Sequence, residues 1–186
     1  LVHPSLPARN VKELLALAKN QPGGLLYASA GNGTAGHLAG ELFNMMAGVK
    51  LTHIPYKGMA PAQTDTIGGQ IPFNVSNLPA MVGTVQSGRL RGLAVTAAKR
   101  AALLPAVPTM RESGVLDYEV NSWYGVCAPA ATPAPVLDRL YQDFTAVLRL
   151  PDVQQRLAEL AIDTAPKNPE EFSQFIRAEI TRWAKV

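Results

Sequence analysis

A single cysteine, Cys127, in 186 residues excludes an internal disulfide. A periplasmic protein can do without one, so the compartment stays open. Charged residues are only 17% of the chain against 47% hydrophobic, which excludes a disordered polypeptide. No apolar run reaches the length of a membrane span, so direct membrane insertion is not expected. The net charge is +3, but only Arg89/Arg91 and Lys99/Arg100 stand close together. That scatter argues against a nucleic-acid face and suits, at most, a small anionic ligand. Only His3, His37 and His53 could serve as imidazole ligands. None is spaced with Cys, Asp or Glu as a zinc site requires, so no metal is expected. A G-x-S-x-G elbow is missing too, and no acid is placed to orient a histidine, so Ser29 with His37 makes a poor hydrolase pair. Cys127, in the apolar "GVCAPA", reads as a buried packing residue.

What is present is an alternation of apolar runs and helical patterns. Asn10 with Glu13 starts a helix whose apolar side is Val11, Leu14, Leu15 and Leu17, and "QPGG" at 21–24 stops it. "LLYAS" reads as a buried strand. A helix from Thr34 follows, with Leu38, Leu42, Met45 and Met46 on one side and Gly48 at its end. "LTHIPY" is the next strand, Pro61 fits the first turn of another helix, and "GG" at 68–69 ends it. "IPFNVS" and "LRGLAVTA" read as strands around the helix "LPAMVGTVQSG". "PTMRESG" reads as a short helix and "YGVCAP" as a further strand. The pattern predicts an α/β lobe with a largely parallel sheet over residues 1–121.

The last sixty residues differ. Three apolar stripes recur at helical spacing: Val136, Leu140, Phe144 and Val147; Val153, Leu157 and Leu160; Phe172, Ile176, Ile180 and Trp183. Asn168, Pro169 and Glu171 make a helix start before the third. Stripes of this kind normally face a core. Trp123 and Tyr124 stand where the two patterns meet, at the place of a hinge or cleft or of ordinary aromatic packing.

The stretch "YASAGNGTAGHLAGELF" contains Gly31-Asn32-Gly33-Thr34-Ala35-Gly36, a G-x-G-x-x-G pattern between a strand and a helix. Helix-start N–H groups and the helix dipole favour an anion there. A dinucleotide site also needs an acid at the end of the following strand, where "HIPYKG" offers Tyr56 and Lys57 instead. Lys57 could still serve a 2′-phosphate, which leaves an NADP-using or other small-anion α/β enzyme, with this turn as phosphate site, as the alternative function. A small carboxylate on the turn and a tight turn with purely geometric glycines both remain open. His37, in the first turn of its helix, could orient a carboxylate or cap the helix.

Seven segments in order, "LVHPSLPARNVKELLALAK", "YASAGNGTAGHLAGELF", "IPYKGMAPAQTDTIGGQIPF", "GRLRGLAVTAAKR", "PTMRESG", "SWYGVCAPAATP" and "PEEFSQFIRAEITRWAKV", resemble the substrate-binding proteins of tripartite tricarboxylate transporters, the Bug-type periplasmic receptors. The resemblance runs the whole length. It implies a type II periplasmic binding protein fold, a two-lobed Venus flytrap that captures a small carboxylate-bearing solute such as a dicarboxylate or tricarboxylate. The solute passes to membrane transporter subunits, with no catalysis, no cofactor and no nucleic acid. Residues 1–121 would be the second lobe, 122–125 the hinge crossing and 126–186 the C-terminal helical part of the first lobe. The chain would then be truncated at its front, and its tail stripes would pair with another copy or with the rest of a longer polypeptide. By position, the resemblance places Ser29, Gly31, Asn32, Gly33, Thr34, His37, Tyr56, Lys57, Gly58, Ala60, Ala62, Ser76 and Asn77 at the ligand. Two departures stand out. Met59 replaces the small hydroxyl residue usual in the family, and Ser76 stands where an Asp is frequent. Lacking that acid, the site suits a plain carboxylate better than an amino acid.

Overall fold

The computed structural model describes residues 1–21 and 23–186. It divides into two compact units, Leu1–Ser122 and Trp123–Lys185. The expected stop at 21–24 falls partly on Pro22, outside the described residues.

In the first unit α1 (Val11–Asn20) begins as its residues dictate. Asn10 Oδ1 accepts from the Glu13 N–H at 2.9 Å, and Glu13 Oε2 accepts from the Arg9 N–H at 2.7 Å. Val11, Leu14 and Ala18 are its buried face. Strands β1 (Leu25–Ser29), β2 (Leu51–Pro55) and β3 (Phe73–Asn74) form a parallel sheet in the order β2-β1-β3. Register is fixed by pairs such as Tyr27 with His53 and with Phe73. Helices α2 (Ala35–Ala47), α3 (Met59–Ile67) and α4 (Leu78–Gln86) each follow a strand. Side chains alternate across β1. Ala28 packs with Ala62, Ile71 and Met59 on the α3 side, and Tyr27 and Ser29 point the other way, toward α2.

Four expectations here need correction. The buried face of α2 is Ala39, Gly40, Leu42 and Phe43, and Met45 and Met46 are exposed. The reason is close approach: a Cβ on Gly40 would run into the Tyr27 ring, and one on Gly36 would lie 2.5 Å from the Val75 carbonyl oxygen. Small residues at 36, 39 and 40 let the helix approach the sheet, with Leu42 and Phe43 buried beside them. "IPFNVS" is a strand only over two residues, because Pro72 cannot donate and the chain start covers the other side, with the Asn74 N–H donating to the Leu1 carbonyl. "LRGLAVTA" makes single bridges, Arg91 to Val2 and Val95 to Thr109, and no continuous strand. "PTMRESG" is a run of turns around Thr109 and Glu112, whose side chains each bind the other's N–H.

In the second unit α5 (Ala134–Leu148), α6 (Pro151–Glu159) and α7 (Pro169–Trp183) form where the stripes place them. α7 starts with a reciprocal box, the Glu171 N–H on Asn168 Oδ1 and the Asn168 N–H on Glu171 Oε2. None of the three helices has a buried residue. Trp123, Phe172 and Phe175 make an aromatic cluster with centroids 5.3–6.3 Å apart. "YGVCAP" is not a strand, and Cys127 is exposed, contrary to the packing role expected of it. Among the described residues no strand pairs with that segment, so nothing covers the thiol.

Candidate functional site

The carboxyl ends of β1, β2 and β3 lie side by side, and α2, α3 and α4 begin there. This edge is where ligands gather in open parallel sheets. The first-turn N–H groups of a helix have no partner within it. At the starts of α1 and α7 a side-chain oxygen takes one of them, and the starts of α5 and α6, in the second unit, have no such cap. At all three of these starts, Thr34, Gly58 and Asn77, no side-chain cap bond is made. Thr34 turns its hydroxyl to the Gly31 carbonyl at 2.7 Å, Gly58 has none to offer, and Asn77 Oδ1 accepts from the Ser122 hydroxyl at 2.8 Å. Three positive helix ends therefore face one edge with donors unspent.

The turn after β1 is held from within. Gly31 has φ +136° and Gly33 φ +73°, both in the region that glycine enters freely. A Cβ on Gly31 would lie 2.9 Å from the Tyr56 carbonyl oxygen, whereas one on Gly33 would meet nothing, so Gly33 borders open space. Ser29 is fully buried beneath the turn, and its Oγ accepts from the Gly31 N–H at 3.1 Å and lies 2.6 Å from His53 Nε2. His37 Nδ1 accepts from the Gly33 N–H at 3.1 Å. The His37 and His53 rings stack at 4.1 Å, and Tyr27 lies 4.9 Å from His53. Tyr27 donates to Glu41 Oε1 at 2.8 Å. Burial and then the neighbouring His37 hold His53 below the ordinary imidazole value, with Glu41 pulling the other way. Burial first, then Glu41, pushes the Tyr27 hydroxyl up.

Of the residues named from sequence, Asn32, Gly33, Lys57, Ala60 and Asn77 are exposed along the edge, and Gly31, Thr34, His37, Gly58 and Ser76 are partly so. Ala62 is fully buried on the inner face of α3, against Ala28 and Ile71. Ser76 Oγ lies out of solvent with no hydrogen-bond partner. Tyr56 donates to Asp65 Oδ2 at 2.6 Å, and burial with that bond pushes its hydroxyl up to about 12. The acid nearest the second strand end in sequence is thus already engaged and offers nothing to a ribose. Met59 Sδ sits 4.0 Å from Asn74 Nδ2.

Sequence reasoning passed over His53, Tyr27 and Asn74. His53 shares a face with Tyr27 and Ser29 only through the Tyr27–His53 register, a signal that period-two alternation on both strands could have supplied. Asn74 is fully buried with its Oδ1 unpartnered, and nothing local in the sequence marks it. Among the described residues no cluster of His, Cys, Asp and Glu could hold a metal, and no helix is long and apolar enough to cross a membrane.

The chain matches the tripartite tricarboxylate transporter family receptor over residues 1–186. It is 33% identical over 186 residues to protein BugT of Bordetella pertussis, covering 100% of this chain and 57% of BugT. A structure of an R. palustris protein with adipate superposes with a TM-score of 0.90 at 38% identity, covering 99% of this chain and 62% of that one. MatC of Rhodopseudomonas palustris with bound malate superposes with a TM-score of 0.82 at 27% identity, over 98% of this chain and 63% of MatC. The chain spans a little over half the length of BugT and of the Pseudomonas relative to which it is 37% identical. These likenesses favour a receptor over the phosphate-using enzyme. The chain belongs to the tripartite tricarboxylate transporter receptor family.

Proposed function

We propose that this chain serves an extracytoplasmic, periplasmic receptor that captures a small carboxylate-bearing solute, a dicarboxylate in the first instance, for a tripartite tricarboxylate-type transporter. The observation that carries the reading is the set of three uncapped helix starts on one sheet edge. A carboxylate there takes N–H groups from Asn32 and the first turn of α2, and from the start of α3 beside Gly58 and Ala60, while Lys57 adds positive field. Asn77, exposed, supplies a polar side chain at the third start, with Ser76 just before it. Ser29 and Ala62, both buried, shape the turn and the helix without touching the solute. Adipate and malate in related structures support the solute class. Two observations support binding rather than chemistry at such an edge: the similar structures include the periplasmic binding protein BugD, and Ser29 spends its hydroxyl inside the turn. In this reading residues 1–121 make the second lobe, 122–125 the crossing and 126–186 the helical part of the first.

The test is thermal denaturation with adipate, malate and the uncharged diamide of adipate. Both carboxylates are expected to raise the midpoint and the diamide to leave it unchanged. A shift with NADP and none with either carboxylate would point to the enzyme instead.

A further inference from the structure

His37 is the third residue of α2, the position where a capping box carries Glu or Gln reaching back to the N–H ahead of the helix. Here the imidazole does that work, through Nδ1 on the Gly33 N–H at 3.1 Å. A carboxylate or amide oxygen accepts at any neutral pH. An imidazole nitrogen accepts only while unprotonated.

We propose that the stacked His37–His53 pair is a proton switch on the glycine turn: one proton taken up by the pair at His37 breaks the Gly33 N–H···Nδ1 bond and frees that N–H. Two cationic rings 4.1 Å apart repel, so the stack has room for one proton and not two. The two rings differ in what protonation does to their partners. His53 Nε2 faces Ser29 Oγ at 2.6 Å, and a hydroxyl can donate or accept, so that contact survives either state, the hydroxyl proton turning to the Gly31 carbonyl at 3.2 Å. The Gly33 N–H can only donate, so two donors would face each other at His37. The groups around the pair are Tyr27 from β1, whose hydroxyl stays protonated, and the Glu41 carboxylate from α2, held by Tyr27 and Asn44. Glu41 is the one acid facing the pair among the contacts described, and it favours the charged form of His53. The positive end of α2 opposes it.

Resting on the carboxylate reading above, the switch adds a released N–H and an adjacent cation to the edge that takes the anion. Capture is then linked to proton uptake, with affinity rising by up to about tenfold per pH unit on acidification through the histidine range.

The test follows the Gly33 amide of the 15N-labelled protein by NMR between about pH 5 and 8. The expected result is one titration step in the wild type that coincides with His37, its loss in His37→Gln, whose amide oxygen accepts at every pH, and its retention in His53→Phe. A Gly33 amide that does not move, a step that survives His37→Gln, or a step lost in His53→Phe would overturn the proposal. Adipate titrations at both ends of the range add a second readout: affinity that rises on acidification in the wild type and does not rise in His37→Gln, adipate's own protonation acting only to lower it. Adipate that binds at neither pH defeats the dicarboxylate reading alone, and the amide titration still decides the switch.

Discussion

The two units carry equally good helix signals and opposite burial. α1 and α7 both begin with Asn and Glu three residues apart, and each Asn accepts from the Glu N–H, while Glu171 reaches back to the Asn168 N–H and Glu13 to the Arg9 N–H one residue earlier. Yet α1 buries Val11, Leu14 and Ala18, while α7 buries nothing and leaves Ile180 65% exposed. Periodicity and caps decide where a helix forms and which side is apolar. They do not supply the surface that side packs on. In the first unit the sheet supplies it. In the second the helices pack on one another and on the Trp123 cluster.

The largest expected effect sharpens this contrast. Leu25→Ala, at a site 1% exposed, should destabilise the first unit by about 2–5 kcal/mol. Leu140→Ala, at a site 39% exposed, should cost less than about 1 kcal/mol. Denaturant melts of both variants check the pair, and equal losses would break the comparison.

Next come two glycines of the same turn-and-helix segment. Gly36→Ala puts a Cβ against the Val75 carbonyl and should cost about 1–3 kcal/mol of stability. Gly33→Ala meets no atom and pays only for its φ of +73°, about 1–2 kcal/mol. Calorimetric unfolding ranks them, and Gly33→Val, folded, should also lose carboxylate affinity.

The caps give a smaller and more local test. Asn10→Ala should lower the melting of the whole first unit by about 1 kcal/mol, whereas Asn168→Ala should fray α7 and leave the first unit's midpoint in place. Amide exchange on both variants reads the difference.

Smallest is a pH effect confined to the first unit. His53 is held below its ordinary value in the folded state by burial and His37. The unfolded chain therefore binds the proton first as pH falls. The stability this costs is absent above the usual histidine value near 6.5 and grows as pH drops from there toward the lower folded value. His53→Phe should flatten that part of the stability–pH curve, while Phe172→Leu in the second unit should not alter it.

What was legible in the sequence was local. Asn10 with Glu13, Asn168 with Glu171, and Gly48 with φ +60° act within a turn of their own residue, and the structure has all three. The parallel sheet followed from alternation. What was not legible depended on distant partners. The face of α2 is chosen by Tyr27, from another element. "LRGLAVTA" has strand-forming residues but only single-residue bridges to Val2 and Thr109. Cys127 has apolar neighbours in sequence and none covering it in space. At the site, the glycine turn and the helix starts were visible as spacing, but the His37–His53 stack needed the β1–β2 register to bring the two rings together.

The central claim is that the sheet edge with three uncapped helix starts is the carboxylate site. Its most direct test is an adipate titration of the 15N-labelled protein, read amide by amide, which detects binding even at roughly millimolar strength. The account predicts saturable shifts concentrated at Asn32–Gly36, Gly58–Ala60 and Asn77–Leu78. Saturable shifts elsewhere with this edge unmoved would contradict it.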